Sequence, residues 1–238
     1  MVGPGWLSQR LVDVPSGEDW LGAHERAVLE TLRVERRRAD WRLGRWTAKL
    51  ALGAWLALPG SRVEVLAAPD GVPEAWLDGQ RLDVSISLTH RGGRSLAVIA
   101  DAPAVAGCDL ELIEPRSDAF IRDWLAPQEQ SAVFALAPGS GRERLANLIW
   151  TAKEAAAKVR REGLRVDVRH AIVTLSDTPS ASEGWRALHV RWDDGAGLLR
   201  GWWRAEPEWV MAVAADPPLG SPRELLGDVG QHRKMEFT

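Results

Sequence analysis

Hydrophobic residues recur at helical spacing along residues 18–57, with an interruption near Arg33, and Pro59-Gly60 ends the run by withdrawing a backbone donor. Alternation then takes over: residues 62–67, 84–88 and 95–100 predict strands, separated by turns at Asp70-Gly71-Val72-Pro73 and Gly92-Gly93. Ala102-Pro103 marks a junction. Beyond it the pattern predicts a strand over 106–112, helices over 117–136 and 143–162, and strands over 167–175, 186–192, 198–204 and 208–214. Pro138-Gly139-Ser140-Gly141 reads as the loop between the helices, and residues 193–197 as a hairpin turn. The tail from Asp216 is rich in Pro, Gly and charge and is expected to lie loosely on the surface. Each half therefore combines helix with mostly antiparallel strands. That predicts an α+β fold of two similar lobes, residues 1–103 and 104–215, with a tail at 216–238 and a site between the lobes. No clear sequence repeat links the halves.

Composition narrows the class. Of 238 residues, 45% are hydrophobic and 26% charged, which excludes a disordered chain. One Cys excludes a disulfide framework and a cysteine-based zinc site, and fits a reducing compartment. No stretch approaches 18 consecutive apolar residues, and the start, MVGPGWLSQRLVDVP, lacks a basic segment followed by an apolar one. A soluble, cytoplasmic protein with no membrane partner is expected. Two oddities remain: 13 Trp with no Tyr, and 26 Arg against 4 Lys. Stacking on nucleic-acid bases would need the rings on a basic surface, but the net charge is -3, so the Trp residues are expected to fill the core. Positive charge is concentrated in residues 33–49, seven basic against two acidic, and 153–165, five against two, as suits a discrete anion rather than a polyanion.

Four clusters could carry chemistry. In Gly107-Cys108-Asp109-Leu110-Glu111-Leu112 a strand would project Asp109 and Glu111 from one face and pack Cys108, Leu110 and Leu112 on the other. Adjacent carboxylates repel unless a cation such as Mg²⁺ lies between them; the alternative is a solvated strand edge. In Trp150-Thr151-Ala152-Lys153-Glu154-Ala155-Ala156-Ala157-Lys158, Glu154 and Lys158 share a helix face, as a site or as an exposed ion pair. Two of only four lysines lie within five residues of that glutamate. Arg38, Arg42, Arg45 and Lys49 line one side of a helix with Leu43, Trp46, Leu50 and Ala54 opposite, a row suited to phosphate or simply a solvated face. Ser87-Leu88-Thr89-His90-Arg91-Gly92-Gly93 ends a strand, where Thr89 and His90 could help hold a phosphate or His90 could be structural.

In order and spacing these clusters resemble the surfactin-type (Sfp-type) 4′-phosphopantetheinyl transferases. The G-[ILV]-D-x-E strand of that family looks like residues 107–111, its W-[ST]-x-K-E-[AS]-x-x-K helix like residues 150–158, and its S-[ILV]-[ST]-H turn like residues 87–90. Its basic helix looks like Arg38, Trp41, Arg45 and Lys49 with one residue of slack, and a following Gly-Leu is present as Gly163-Leu164. The resemblance covers roughly residues 25–215. Val72 stands where the family often has Lys, Lys49 where it has Arg, and Cys108 where it has an aliphatic residue. The resemblance implies an enzyme of the holo-[acyl-carrier-protein] synthase type, which moves the phosphopantetheine arm of coenzyme A to a Ser of an apo acyl or peptidyl carrier protein and releases 3′,5′-adenosine diphosphate. It implies Mg²⁺, or Mn²⁺, on Asp109, Glu111 and Glu154. Glu154 is expected as general base, Lys158 as charge neutraliser at the diphosphate, and Arg38, Arg45, Thr89 and His90 as holders of the 3′-phosphate and diphosphate. The N-terminal lobe would face the adenine side, and the C-terminal lobe would carry metal and catalysis. Arg160, Arg161 and Arg165 could meet an acidic carrier protein or merely keep a helix end soluble. With both lobes in one chain, a monomer is expected.

Two other readings compete: a weak transferase homologue that binds coenzyme A and regulates, and an Mg²⁺-dependent nuclease built on the same carboxylates. The net negative charge and the confinement of basic residues to two segments count against the nuclease, and the intact acidic set counts against the homologue.

Overall fold

The computed structural model describes residues 2–161, 167–179, 184–193, 195 and 197–225. Gly163-Leu164, Arg165 and the tail after Leu225 lie outside the described residues. The chain begins with strand β1 (Gly5–Arg10), then helices α1 (Ala23–Thr31) and α2 (Glu35–Leu56). Strands β2 (Val63–Ala67), β3 (Pro73–Leu77), β4 (Gln80–Arg81), β5 (Val84–Arg91), β6 (Arg94–Asp101) and β7 (Val105–Leu112) follow. Helices α3 (Asp118–Trp124), α4 (Pro127–Phe134) and α5 (Ser140–Arg160) lead into β8 (Ala171–Pro179), β9 (Arg186–Trp192), β10 (Leu198–Ala205), β11 (Trp209–Asp216) and β12 (Arg223–Glu224). Helix and sheet are mixed throughout, as an α+β protein requires.

Several local expectations are corrected. The pattern over 117–136 is two helices, because Leu125 and Ala126 are extended and Pro127 restarts the chain with Glu129 capping the Ala126 amide. Strand β1 carries no clean alternation and is made by tertiary pairing with β6. The tail is not wholly loose: β12 pairs parallel with β1, and Leu225 is buried. Ala54, expected opposite the cationic row on the packed side of its helix, is exposed.

Strands β12-β1-β6-β5 form one sheet, β7-β11-β10-β9-β8 a second, and β2-β3-β4 a third. Alternation along β6 divides its side chains. Ala97 and Ile99 meet Ala48, Ala51 and Leu52 of α2, while Leu96, Val98 and Ala100 meet Cys108, Leu110, Met211 and Val213 of the second sheet. The far face of the second sheet packs Val210, Ala212 and Ala214 on Ala152, Ala155 and Ala156 of α5. Where the edges of β5 and β7 meet, side chains replace a backbone ladder: the amides of Ala106 and Cys108 donate to the hydroxyls of Ser85 and Ser87.

A similar strand arrangement occurs twice, apart from β4 in the first half and the additional helix α3 in the second. Strand β3 lies against β5 without pairing to it, so the order β1-β6-β5-β3-β2 matches β7-β11-β10-β9-β8. In each half a buried lysine of the long helix pairs with a buried glutamate of the short helix before it, Lys49 with Glu25 at 2.6 Å and Lys153 with Glu129 at 2.7 Å. Each glutamate also accepts from its helix-capping amide, Gly22 or Ala126, and from a strand amide, Val65 or Val173. Each lysine donates to a carbonyl beyond its helix, Val63 or Val168. With this frame a short repeat becomes visible: Trp46-Thr47-Ala48-Lys49 recurs as Trp150-Thr151-Ala152-Lys153. Four residues among so many differences are too few to register without the structure.

Candidate active site

Strand β7 and helix α5 meet at Gly107, where an added Cβ would lie 2.1 Å from the Ala155 carbonyl oxygen. Only glycine allows that approach. It brings Asp109, two residues along the strand, beside the helix face that carries Glu154 and Lys158. The Lys158 ammonium donates to Asp109 Oδ1 at 2.9 Å and to the Cys108 carbonyl at 2.8 Å. Thr89 of β5 donates its hydroxyl to the same Oδ1 at 2.9 Å, so Asp109 is held from both halves of the chain. The other carboxylate oxygen, Oδ2, is buried and has no hydrogen-bond partner among the described residues.

Glu111 sits further along the same strand, bonded to Arg116 at 3.0 Å and within 3.4 Å of Arg91. Arg116 is itself anchored on Asn147 of α5 at 2.6 Å. Burial raises the pKa of Glu111, with repulsion from Asp109 adding to it against the pull of the two arginines. Glu154 is raised for the same two reasons, burial first and Asp109 second, with Lys158 opposing. Burial, the largest influence, would lower the Lys158 ammonium, but Asp109, Cys108 and Glu154 together outweigh it and hold the group above its ordinary value. Cys108 faces the other way, fully buried, its thiol pushed up to about 11 by burial, so it is inert core.

Three carboxylates thus share one electrostatic site with a single lysine among them. Among the described residues no three His, Cys, Asp or Glu side chains form a ready cage for a metal ion. The donor set nonetheless fits Mg²⁺, which is commonly held by one or two carboxylates together with substrate phosphates. The partnerless Asp109 Oδ2 is the atom that such an ion would satisfy.

A cleft of about 630 Å³ opens beside this cluster, lined by Glu154 and Lys158 from it and by Ser87, Val72, Trp124 and Trp150 among others, while Asp109 and Glu111 lie behind its wall. Trp150 stacks edge-on against Trp124 and Phe120. The predicted phosphate-holding residues are less uniform. Thr89 is in the site, and His90, next on the strand, is exposed on its other face. The row on α2 is not an open cationic face, because α1 and the segment leading into it pack over it. Arg38 donates to the carbonyls of Leu29 and Leu32, Arg42 to those of Pro15, Ser16 and Gly17, and Lys49 is in the buried pair with Glu25. Arg45 lies over the Trp41 ring at 4.9 Å, its guanidinium lowered by burial against the opposing pull of Glu25. Arg91, Arg116 and Asn147 were not singled out from the sequence. Only Arg91 carried a local signal, its place in the turn after Thr89-His90.

Among the described residues no helix is long and apolar enough to cross a membrane. No curated protein matches the chain. Residues 106–214, the span that carries Asp109, Glu111, Glu154 and Lys158, match the family model described as the 4′-phosphopantetheinyl transferase superfamily (ACPS).

Proposed function

We propose that the protein is a 4′-phosphopantetheinyl transferase of the Sfp type, built as two similar lobes in pseudo-twofold arrangement with the active site between them. It would load the arm of coenzyme A onto a carrier-protein serine. The observation that carries this reading is Asp109, held by Thr89 from one half and Lys158 from the other and keeping a partnerless buried oxygen, inside the span that matches the superfamily.

Asp109, Glu111 and Glu154 would hold Mg²⁺. When bound, the ion would neutralise charge on the diphosphate of coenzyme A. Glu154, its pKa raised by burial, is suited to take the proton of the serine hydroxyl. The serine oxygen forms a bond to the phosphorus carrying pantetheine, the bridging P–O bond of the diphosphate breaks, and 3′,5′-adenosine diphosphate leaves with that electron pair. Lys158, fixed by Asp109, offsets negative charge as the bond breaks. Thr89 and His90, with Arg45, would hold the phosphates of the nucleotide. The apolar cleft wall of Val72, Ile86, Leu88, Trp124 and Trp150 would take the pantetheine chain.

Mass spectrometry of apo acyl and peptidyl carrier proteins, incubated with coenzyme A, Mg²⁺ and the enzyme, tests the reading through the mass of the added arm. D109A and E154A are expected to fold and to load no carrier protein. Loading by either variant at the wild-type rate would remove the metal and base assignments.

A further inference from the structure

The two walls of the cleft are unequal in charge. The wall from the N-terminal half, residues 70–73 with Ile86, Ser87 and Leu88, offers Asp70 and no cation. The opposite wall is a single row down α5 and past its end: Trp150, Glu154, Lys158 and Arg161, at spacings of four, four and three. Of the two cations in that row, Lys158 is spent on Asp109 and the Cys108 carbonyl. Arg161 is exposed, lines the cleft, and makes no ion pair with any described residue. Its neighbour Arg160 points elsewhere, over the Trp192 ring at 4.9 Å.

The backbone at Arg161 terminates α5 at φ 54 and ψ 21, the left-handed conformation in which glycine is usual. Ala57 closes α2 at the same φ, so this is how the two long helices end; what Arg161 adds is a cation on the cleft wall. Resting on the transferase reading above, we propose that Arg161 is a substrate-binding residue that holds phosphate oxygens of coenzyme A beside Lys158. A planar guanidinium presents two parallel N–H groups to two oxygens of one phosphate, a fixed fork that the ammonium one turn earlier, already donating to Asp109 and the Cys108 carbonyl, does not offer.

The test is calorimetric titration of the full chain with coenzyme A, together with thermal melts, for the wild type, R161G and R161K. R161G is expected to raise Tm by about 1–3 °C, because glycine relieves the positive φ, and to weaken coenzyme A binding by about tenfold. R161K is expected to recover part of the affinity and none of the gain in Tm. Unchanged affinity in R161G overturns the proposal. A lowered Tm in R161G also overturns it, by making the side chain a structural tie. A wild-type protein that binds no coenzyme A overturns the transferase reading itself and this inference with it.

Discussion

Glu154 brings a conflict into the folded protein, because burial and Asp109 both disfavour its charge while the proposed chemistry needs that charge. The sign of the consequence is fixed. A carboxylate with a raised folded pKa contributes stability below its unfolded pKa and loses it as pH rises through the folded value. At neutral pH the wild type has therefore lost what E154Q keeps. In the presence of a chelator E154Q is expected to be more stable than the wild type at neutral pH, with the difference vanishing as pH falls below the ordinary carboxylate range and activity absent throughout. Melts across that pH range check this, and parallel Tm curves would refute it. The four residues of this cluster were legible in the sequence because period-two and period-four spacing fix which side chains share a face. The partners Arg116 and Asn147 were not, since they reach Glu111 through a loop and a helix whose meeting no spacing encodes. Arg38, Arg42 and Lys49 show the converse. Their spacing puts them in one row along α2, but what covers that row is α1 together with the segment at residues 15–17 before it, and that covering turns three cations to structural work.

At the scale of elements, α5 is set by the buried pair that joins it to α4. Lys153 and Glu129 are both nearly inaccessible, and Lys153 also donates to the carbonyls of Val168 and Trp124, two cleft-lining residues. Removing one partner of a buried pair strands the other charge, at a cost of about 3–5 kcal/mol. K153M is accordingly expected to lose about that much in urea unfolding, and K153M/E129Q to recover a part of it. An exposed-pair result below about 1 kcal/mol would show that the lysine is not held as described. Long elements with strong periodicity, α2, α5 and β7 among them, were legible from the chain alone. Strand β1 and the break between α3 and α4 were not, because one depends on pairing with β6 and the other on a cap at Glu129 rather than on periodicity.

Over the whole molecule, the two compositional oddities meet in part. Among the described residues six arginines lie over tryptophan rings: Arg45 on Trp41, Arg94 on Trp209, Arg160 on Trp192, Arg186 on Trp203, Arg204 on Trp6 and Arg223 on Trp55. That exceeds the roughly one such contact per 70–80 residues of folded proteins, so part of the Arg surplus and part of the Trp surplus accommodate each other. The halves are joined by hydroxyls instead of a ladder, so S87A, which leaves the buried Cys108 amide without its acceptor, is expected to cost about 1–3 kcal/mol in urea unfolding. A loss under 0.5 kcal/mol would mean that the joint does not depend on that bond. The recurring Trp-Thr-Ala-Lys segment supplies, inside one chain, a comparison that ordinarily takes two proteins. Both copies keep the tryptophan, the threonine, the alanine and the buried lysine, which seat a helix on its sheet. Only the second follows them with Glu154 and Lys158; the first has Leu50 and Ala54 in those places. The chain thereby sets side by side the positions that both helices share and the two, Glu154 and Lys158, on which the proposed chemistry of the second half rests.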